Sequence, residues 1–258
     1  MKLVAVLAYN RPEYLTMCLE ALSRCRGAEE WGVIVSVDGP NGQHPMPSVP
    51  LPKNLNIEVV RHKNNSGIDH HNSFCANGIF SRIAEANFLV MLEDDAVLTP
   101  DALELASGFY GWPRRDDYLF MSIGDPKYSK VAPEESEYEQ LVEERYSIYT
   151  SAWCFTRGSW EKMLETWNRP LSTQLGWDWS LSTSMHENGW KSMYPLVSRA
   201  RNVGRVGVHA YAEWFDQNVA PARYSDGRQI TGIRVKKLAD EPLPEWLRAE
   251  LAASKGKG

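Results

Sequence analysis

Three consecutive carboxylates, Glu93, Asp94 and Asp95, follow the apolar run 88–92, FLVML. Negative charge crowded at a strand end repels itself. A divalent cation relieves that repulsion, because Mn²⁺ and Mg²⁺ prefer carboxylate oxygens and keep coordination positions for phosphates. A plainer reading serves the same residues: an exposed turn whose acids solubilise the strand end, with Asp94 or Asp95 capping the next helix. Further along, Asp178 stands between Trp177 and Trp179. Aromatic neighbours strip water from a carboxylate and raise its affinity for a proton, which suits a general base. Asp178 also reads as a helix N-terminal carboxylate set between core tryptophans. The run 198–210, SRARNVGRVGVHA, brings Arg199, Arg201 and Arg205 near His209. These cations suit a diphosphate, though surface arginines need no such partner, and a lone histidine serves structure as readily as ligation.

The elements that must hold these groups are legible from their periods. Residues 3–8 form an apolar run that ends at Tyr9, Asn10 and Arg11, and Pro12 then opens a helix through Leu15, Cys18, Leu19 and Leu22. A second run at 33–37 ends at Asp38, a third covers 57–60, and 88–92 is the fourth. A helix is expected over 69–86, and Thr99 with Pro100 reads as the N-cap and first residue of another. Strands alternating with helices across short connections imply an α/β fold. Its sheet should be mostly parallel and twisted, with helices on both faces. Ligands of such sheets bind outside the carboxyl ends of the strands, and three polar clusters fall at such ends.

The second half is less regular. Residues 118–123 and 149–155 read as strands, 159–167 as a short helix, and the acidic segment 133–145 as a solvated loop or helix. Residues 171–189, rich in Trp, Ser and Thr, suggest a helix with a pocket-facing edge. One domain is expected over 1–232, with a first half at 1–110 that carries the strand-end acids and a second half at 111–232. The charged tail 233–258 follows it.

Composition narrows the classes. With 43% hydrophobic and 24% charged residues the chain matches an ordinary globular protein. A net charge of -5 supplies no global field toward nucleic acid or anionic membrane, although Arg114 and Arg115 could form a local patch. Four scattered cysteines read as buried or free thiols rather than a disulfide or zinc framework. No transmembrane segment is expected, since no apolar stretch reaches 18 residues. The N-terminal apolar run is too short for a signal peptide, which makes a cytoplasmic location the default.

The segment FLVMLEDDAVLTPDAL (88–103) resembles the metal-binding segment of GT-A glycosyltransferases, most of all the N-acetylglucosaminyltransferase-I-like branch. AYNRPEYLTMCLEAL (8–22) resembles the first nucleotide-binding strand and helix of that superfamily. NNSGIDHHN (64–72) is similar to an Asn-x-Gly segment of family-2 enzymes. The resemblance covers roughly the first 110 residues, in the expected order. It implies a Rossmann-like GT-A fold with Mn²⁺ or Mg²⁺ as cofactor. Asp95 becomes the direct metal ligand, with Glu93 and Asp94 near ribose and sugar. Tyr9, Asn10, Arg11 and Gly67 then contact the nucleotide sugar, and Asp38 reads the uracil.

The family's base segment resembles GWDW (176–179), which makes Asp178 the base, although this chain has one aspartate where the family has two. Run 198–210 resembles its closing segment, which makes His209 a metal ligand or a diphosphate contact. The expected activity is metal-dependent, inverting transfer of a sugar, UDP-linked by preference, to a hydroxyl. The acceptor could be a glycan, a lipid-linked sugar, a protein or a modified nucleic acid such as a hydroxymethylated DNA base. A nucleotide-sugar-binding protein without turnover is the competing class. Nucleotidyltransferases fit less well, because AYNRPEY lacks their glycine-rich basic phosphate loop.

Overall fold

The computed structural model describes residues 1–40, 48–124, 141–167, 176–205, 212–218, 224–227 and 233–236, with residues 245, 248, 249 and 252. His209, the acidic segment up to residue 140, residues 171–175 and most of the tail lie outside the described residues.

The apolar runs are strands: β1 (Lys2–Ala8), β2 (Gly32–Val37), β3 (Asn56–Arg61) and β4 (Phe88–Glu93). In β1 both side-chain alternations are buried, as expected of a parallel strand covered on both faces. It pairs in parallel with β2 and β4, and β2 with β3. The remaining strands are β5 (Ala96–Leu98), β6 (Tyr118–Ser122), β7 (Leu141–Arg145), β8 (Ala152–Thr156), β9 (Lys191–Pro195), β10 (Ala200–Asn202) and β11 (Arg234–Lys236). Among the described residues, nine strands join in the order β11-β7-β9-β6-β8-β4-β1-β2-β3, while β10 and β5 form a separate antiparallel pair. Among the described pairings of the large sheet, β8 runs antiparallel to both β4 and β6, and β7 antiparallel to β9; the others are parallel. Antiparallel β8 stitches the first half of the chain to the second.

Helices cover both faces. On one face α1 (Pro12–Ser23) and α3 (Ala102–Gly111) pack Leu15, Leu19, Leu103 and Phe109 against Val4, Val6 and Val90. On the other, α2 (Gly67–Arg82), α4 (Arg157–Thr166) and α5 (Trp177–Asn188) pack Ile79, Trp160 and Leu181 against Ala5, Leu7 and Met91. A short α6 (Ala212–Asn218) follows. Each fully buried leucine of α1 contributes about 1.5–3 kcal/mol.

Several expectations are corrected. Residues 141–145 form β7 rather than a solvated segment, and β9 was not anticipated. The strand expected over 149–155 begins only at Ala152. The 69–86 helix starts at Gly67 and stops at Arg82. Helix α3 begins at Ala102 with Asp101 as its cap residue, because the Thr99 hydroxyl donates to Asp101 Oδ1 (2.6 Å) instead of capping the helix. All four cysteines are buried and free. No described helix is long and apolar enough to cross a membrane.

Candidate nucleotide-sugar site

Parallel register places the three motifs at one level. Leu7 of β1 faces Ser36 of β2 on one side and Glu93 of β4 on the other. The Asp38 amide donates to Ala8 O (2.8 Å). Tyr9, Asn10, Arg11, Asp38, Glu93, Asp94 and Asp95 therefore all stand at the carboxyl edge of adjacent strands, where such sheets bind ligands.

Within that edge, Arg11 is the centre of charge. Its Nη1 lies 2.7 Å from Asp95 Oδ2, and its Nη2 donates to Asp94 Oδ1. The guanidinium also sits over the Tyr14 ring, 5.3 Å from the centroid. Burial works against its charge, yet Asp95 and Asp94 outweigh burial and hold its proton above the ordinary guanidinium range. One cation does not balance three acids. Burial pushes the Glu93 carboxyl up to about 8, with the charge of Asp95 adding to it. It lifts Asp94 to about 6 against the pull of Arg11 and a hydrogen bond from the Tyr9 main chain, and it raises Asp95 as well.

Four neighbours that the sequence did not single out complete this cluster. Thr150 Oγ1 donates to Glu93 Oε1 (3.2 Å) from the loop that enters β8. Asn202, which pairs with Ala96 at the end of β10, donates from Nδ2 to Asp95 Oδ1 (3.2 Å) and accepts the Gly204 amide on Oδ1 (2.8 Å). The Val203 amide donates to Asp95 O (2.9 Å). Gly204 passes so close that a Cβ there would stand 2.0 Å from Asp95 Oδ2. These are neutral residues with no periodic pattern, and Asn202 and Asp95 are 107 positions apart. The resemblance of run 198–210 to a closing segment hinted at Asn202, Val203 and Gly204, and nothing hinted at Thr150.

Asp38 directly follows β2, and its carboxylate is engaged by the loop that leads into α2. Its Oδ1 accepts from the amides of Gly39 and Ser66, both at 2.9 Å, and its Oδ2 from Asn65 Nδ2, Ser66 N and Gly67 N, each at 3.1 Å. The carboxylate is 3% exposed. Its acceptor capacity is used in holding the entry to α2, where Gly67 adopts a φ of 72°, a left-handed value that favours glycine.

Beneath it, Ser36 Oγ lies 2.9 Å from His62 Nε2 and 2.8 Å from His71 Nε2. Burial pushes His71 down to about 4, outweighing the pull of Asp38. An unfolded histidine takes up its proton near pH 6.5, so unfolding gains a proton between the two values. The His71 contribution to stability is therefore expected to fall as pH drops through that window, by up to about 1.4 kcal/mol per pH unit. The raised Glu93 and Asp94 carboxyls give the opposite slope in the same window. The His71 contribution is therefore read as the difference in urea midpoint between the unaltered protein and His71→Gln, which should shrink as pH falls from 7 to 5.

Asp178 occupies the first turn of α5, half-buried, with Trp177 buried and Trp179 half-buried beside it. Asp178 Oδ1 stands 3.0 Å, and Asp69 Oδ1 3.8 Å, from the point a Cβ on Gly176 would take. The first turns of α2 and α5 thus meet, and α2 enters from the loop that Asp38 holds. Trp167 ties the same corner, donating from Nε1 to Asp69 O (3.2 Å) and stacking on Trp177 at 4.2 Å. Of the arginines in run 198–205, Arg199 is spent in a buried pair with Asp101 (3.2 Å), Arg205 pairs with Asp216, and Arg201 lies over Tyr224.

No protein-family model matches the chain. Among solved structures, Staphylococcus aureus TarS residues 1–349 in complex with UDP-GlcNAc is similar at a TM-score of 0.53 and 16% identity, over 82% of this chain. A mannosyltransferase from Pyrobaculum calidifontis, in complex with GDP-Man and Mn²⁺, gives 0.49 and 17% over 75% of this chain. The chain spans 62% and 54% of their respective lengths. By fold, the chain is a GT-A glycosyltransferase-like α/β protein, the architecture that its first 110 residues led us to expect.

Proposed function

We propose that the chain is an inverting glycosyltransferase that moves a sugar from a nucleotide sugar to a hydroxyl acceptor with the help of a divalent cation. The observation that carries this reading is the Arg11, Asp94 and Asp95 cluster at the carboxyl edge of parallel strands in a GT-A fold.

Among the described residues, no three His, Cys, Asp or Glu side chains converge as a ready-made metal centre. A hard cation that shares its ligands with substrate phosphates needs only one or two carboxylates. Asp94 and Asp95 fit that role by their chemistry, and the charge that Arg11 leaves uncompensated favours it. Asp95 would hold the ion, with His209 the further candidate ligand. Bound there, a cation supplies charge stabilisation to the departing nucleotide.

Other steps belong to the chain itself. Arg11 offers a guanidinium to the donor's diphosphate. Tyr9, Asn10 and Gly67 border the nucleotide, and Glu93 and Asp94 the ribose and sugar. Asp178 takes the proton of the attacking hydroxyl, which approaches the face opposite the leaving group, so the anomeric configuration inverts. Asp38 borders the nucleotide base, and its carboxylate also fixes the 65–67 loop. UDP stays the preferred donor on the resemblance alone, and a direct comparison of nucleotides decides it. The acceptor is assigned only as a hydroxyl, on a glycan, a lipid-linked sugar, a protein or a modified nucleobase.

A thermal-shift screen of UDP-, GDP- and CDP-sugars with Mn²⁺ tests the reading. One donor should raise the melting temperature and be hydrolysed or transferred. Binding without turnover would make the chain a nucleotide-sugar-binding protein, and no binding by any donor would sink both readings.

A further inference from the structure

Asp95 is held in place by more than its ion pair. Asn202 Nδ2, at the end of β10, fixes its Oδ1, and the Val203 amide just after that strand fixes its carbonyl. Arg11 contributes the contact at Oδ2. Removing Arg11 would leave Asp95 oriented and short of a cation. The two partners also differ in access. The Arg11 side chain is 30% exposed, whereas those of Asp94 and Asp95 are 4% and 5% exposed. The guanidinium is thus both the counter-ion of the pair and the group that covers it from solvent.

We propose that Arg11 is a resident counter-ion that a divalent cation displaces from Asp95, and that the released guanidinium then serves the donor's diphosphate. This rests on the functional reading above. It adds an order to it: cation and Arg11 compete for one carboxylate, so the cation binds weakly until a diphosphate gives Arg11 another partner. Charge counting supports the exchange. A dication meets more of the acid cluster's charge than one guanidinium does, and the diphosphate in turn supplies the anion that Arg11 loses. The Tyr14 ring gives the guanidinium a neighbouring surface that does not depend on either aspartate.

The test is titration of the nucleotide-free protein with Mn²⁺ alone, read as free Mn²⁺ by electron paramagnetic resonance. Arg11→Gln is expected to bind Mn²⁺ at least about tenfold more tightly than the unaltered protein. Arg11→Gln combined with Asp95→Asn should lose that gain. Circular dichroism checks that both variants fold. A second measurement needs no variant: phenylglyoxal labelling of Arg11, followed by peptide mass spectrometry, should speed up several-fold when Mn²⁺ is added.

Mn²⁺ affinity no tighter in Arg11→Gln, or Arg11 labelling indifferent to Mn²⁺, overturns the exchange. Either result can stand beside intact sugar transfer, which would leave the functional reading untouched. Tighter Mn²⁺ binding in a chain that takes no nucleotide sugar would uphold the exchange and remove that reading.

Discussion

Asp178→Asn is expected to lower turnover by about 10²–10⁴-fold while leaving donor affinity within about twofold. The amide keeps the shape of the carboxylate at the head of α5 and cannot accept the acceptor's proton. Asp178 is half-buried beside Trp177, so an isosteric change is tolerated by the packing. Transfer kinetics with the donor found by the screen would measure the first effect, and calorimetry with that donor the second. Undiminished turnover would take the base role away from Asp178. A parallel loss of donor affinity would recast it as a residue that shapes the donor pocket through Asp69 and α2.

Asp101→Ala is expected to destabilise the fold by about 3–5 kcal/mol, because it removes the carboxylate that faces the buried Arg199 guanidinium at 3.2 Å and breaks a buried ion pair. Asp101 is 0% exposed and Arg199 2%. The carboxylate also accepts from Thr99 Oγ1 (2.6 Å) and Ser225 Oγ (2.7 Å), so one residue joins β5, β10 and the 224–227 segment. For a chain of this length the loss corresponds to a melting temperature lower by on the order of 10 °C. Thermal unfolding followed by circular dichroism checks it. A change below about 1 kcal/mol would show that water reaches Arg199 and that the node is not sealed. Since β10 carries Asn202 to Asp95, the site should loosen along with the fold.

The parts of this architecture that were legible are those with a single cause. Strands β1, β2 and β4 are continuous apolar runs because both faces are buried, and Pro12 marks the start of α1 from its missing N–H. Strand β7 was illegible because its charges are satisfied by partners distant in sequence or hidden in the fold. Arg145 pairs with Glu143 at 2.9 Å, and Glu144 takes Tyr118 and Lys191. Nothing local distinguishes that arrangement from a solvated acidic run.

The same limit divides the site. The carboxylates and Arg11 announced themselves by type and by position at strand ends. Asn202, Gly204 and Thr150 are ordinary loop residues until the chain folds back on Asp95 and Glu93. Asp38 shows the converse, since its position was legible and its engagement by Asn65, Ser66 and Gly67 was not.

The stitching of β4 to β8 has a consequence for the chain as it is made. Strand β4 lies between β1 and β8, and its β8 side stays open until residues 152–156 arrive. At about 5–20 residues per second on a ribosome, the 59 residues from Glu93 to Ala152 take roughly 3–12 s to synthesise. Through that interval an apolar edge, FLVML, is offered to any neighbouring nascent chain. Glu85 precedes it, and Glu93, Asp94 and Asp95 follow it. Before they meet any cation, these acids guard the edge by repelling a second copy of themselves.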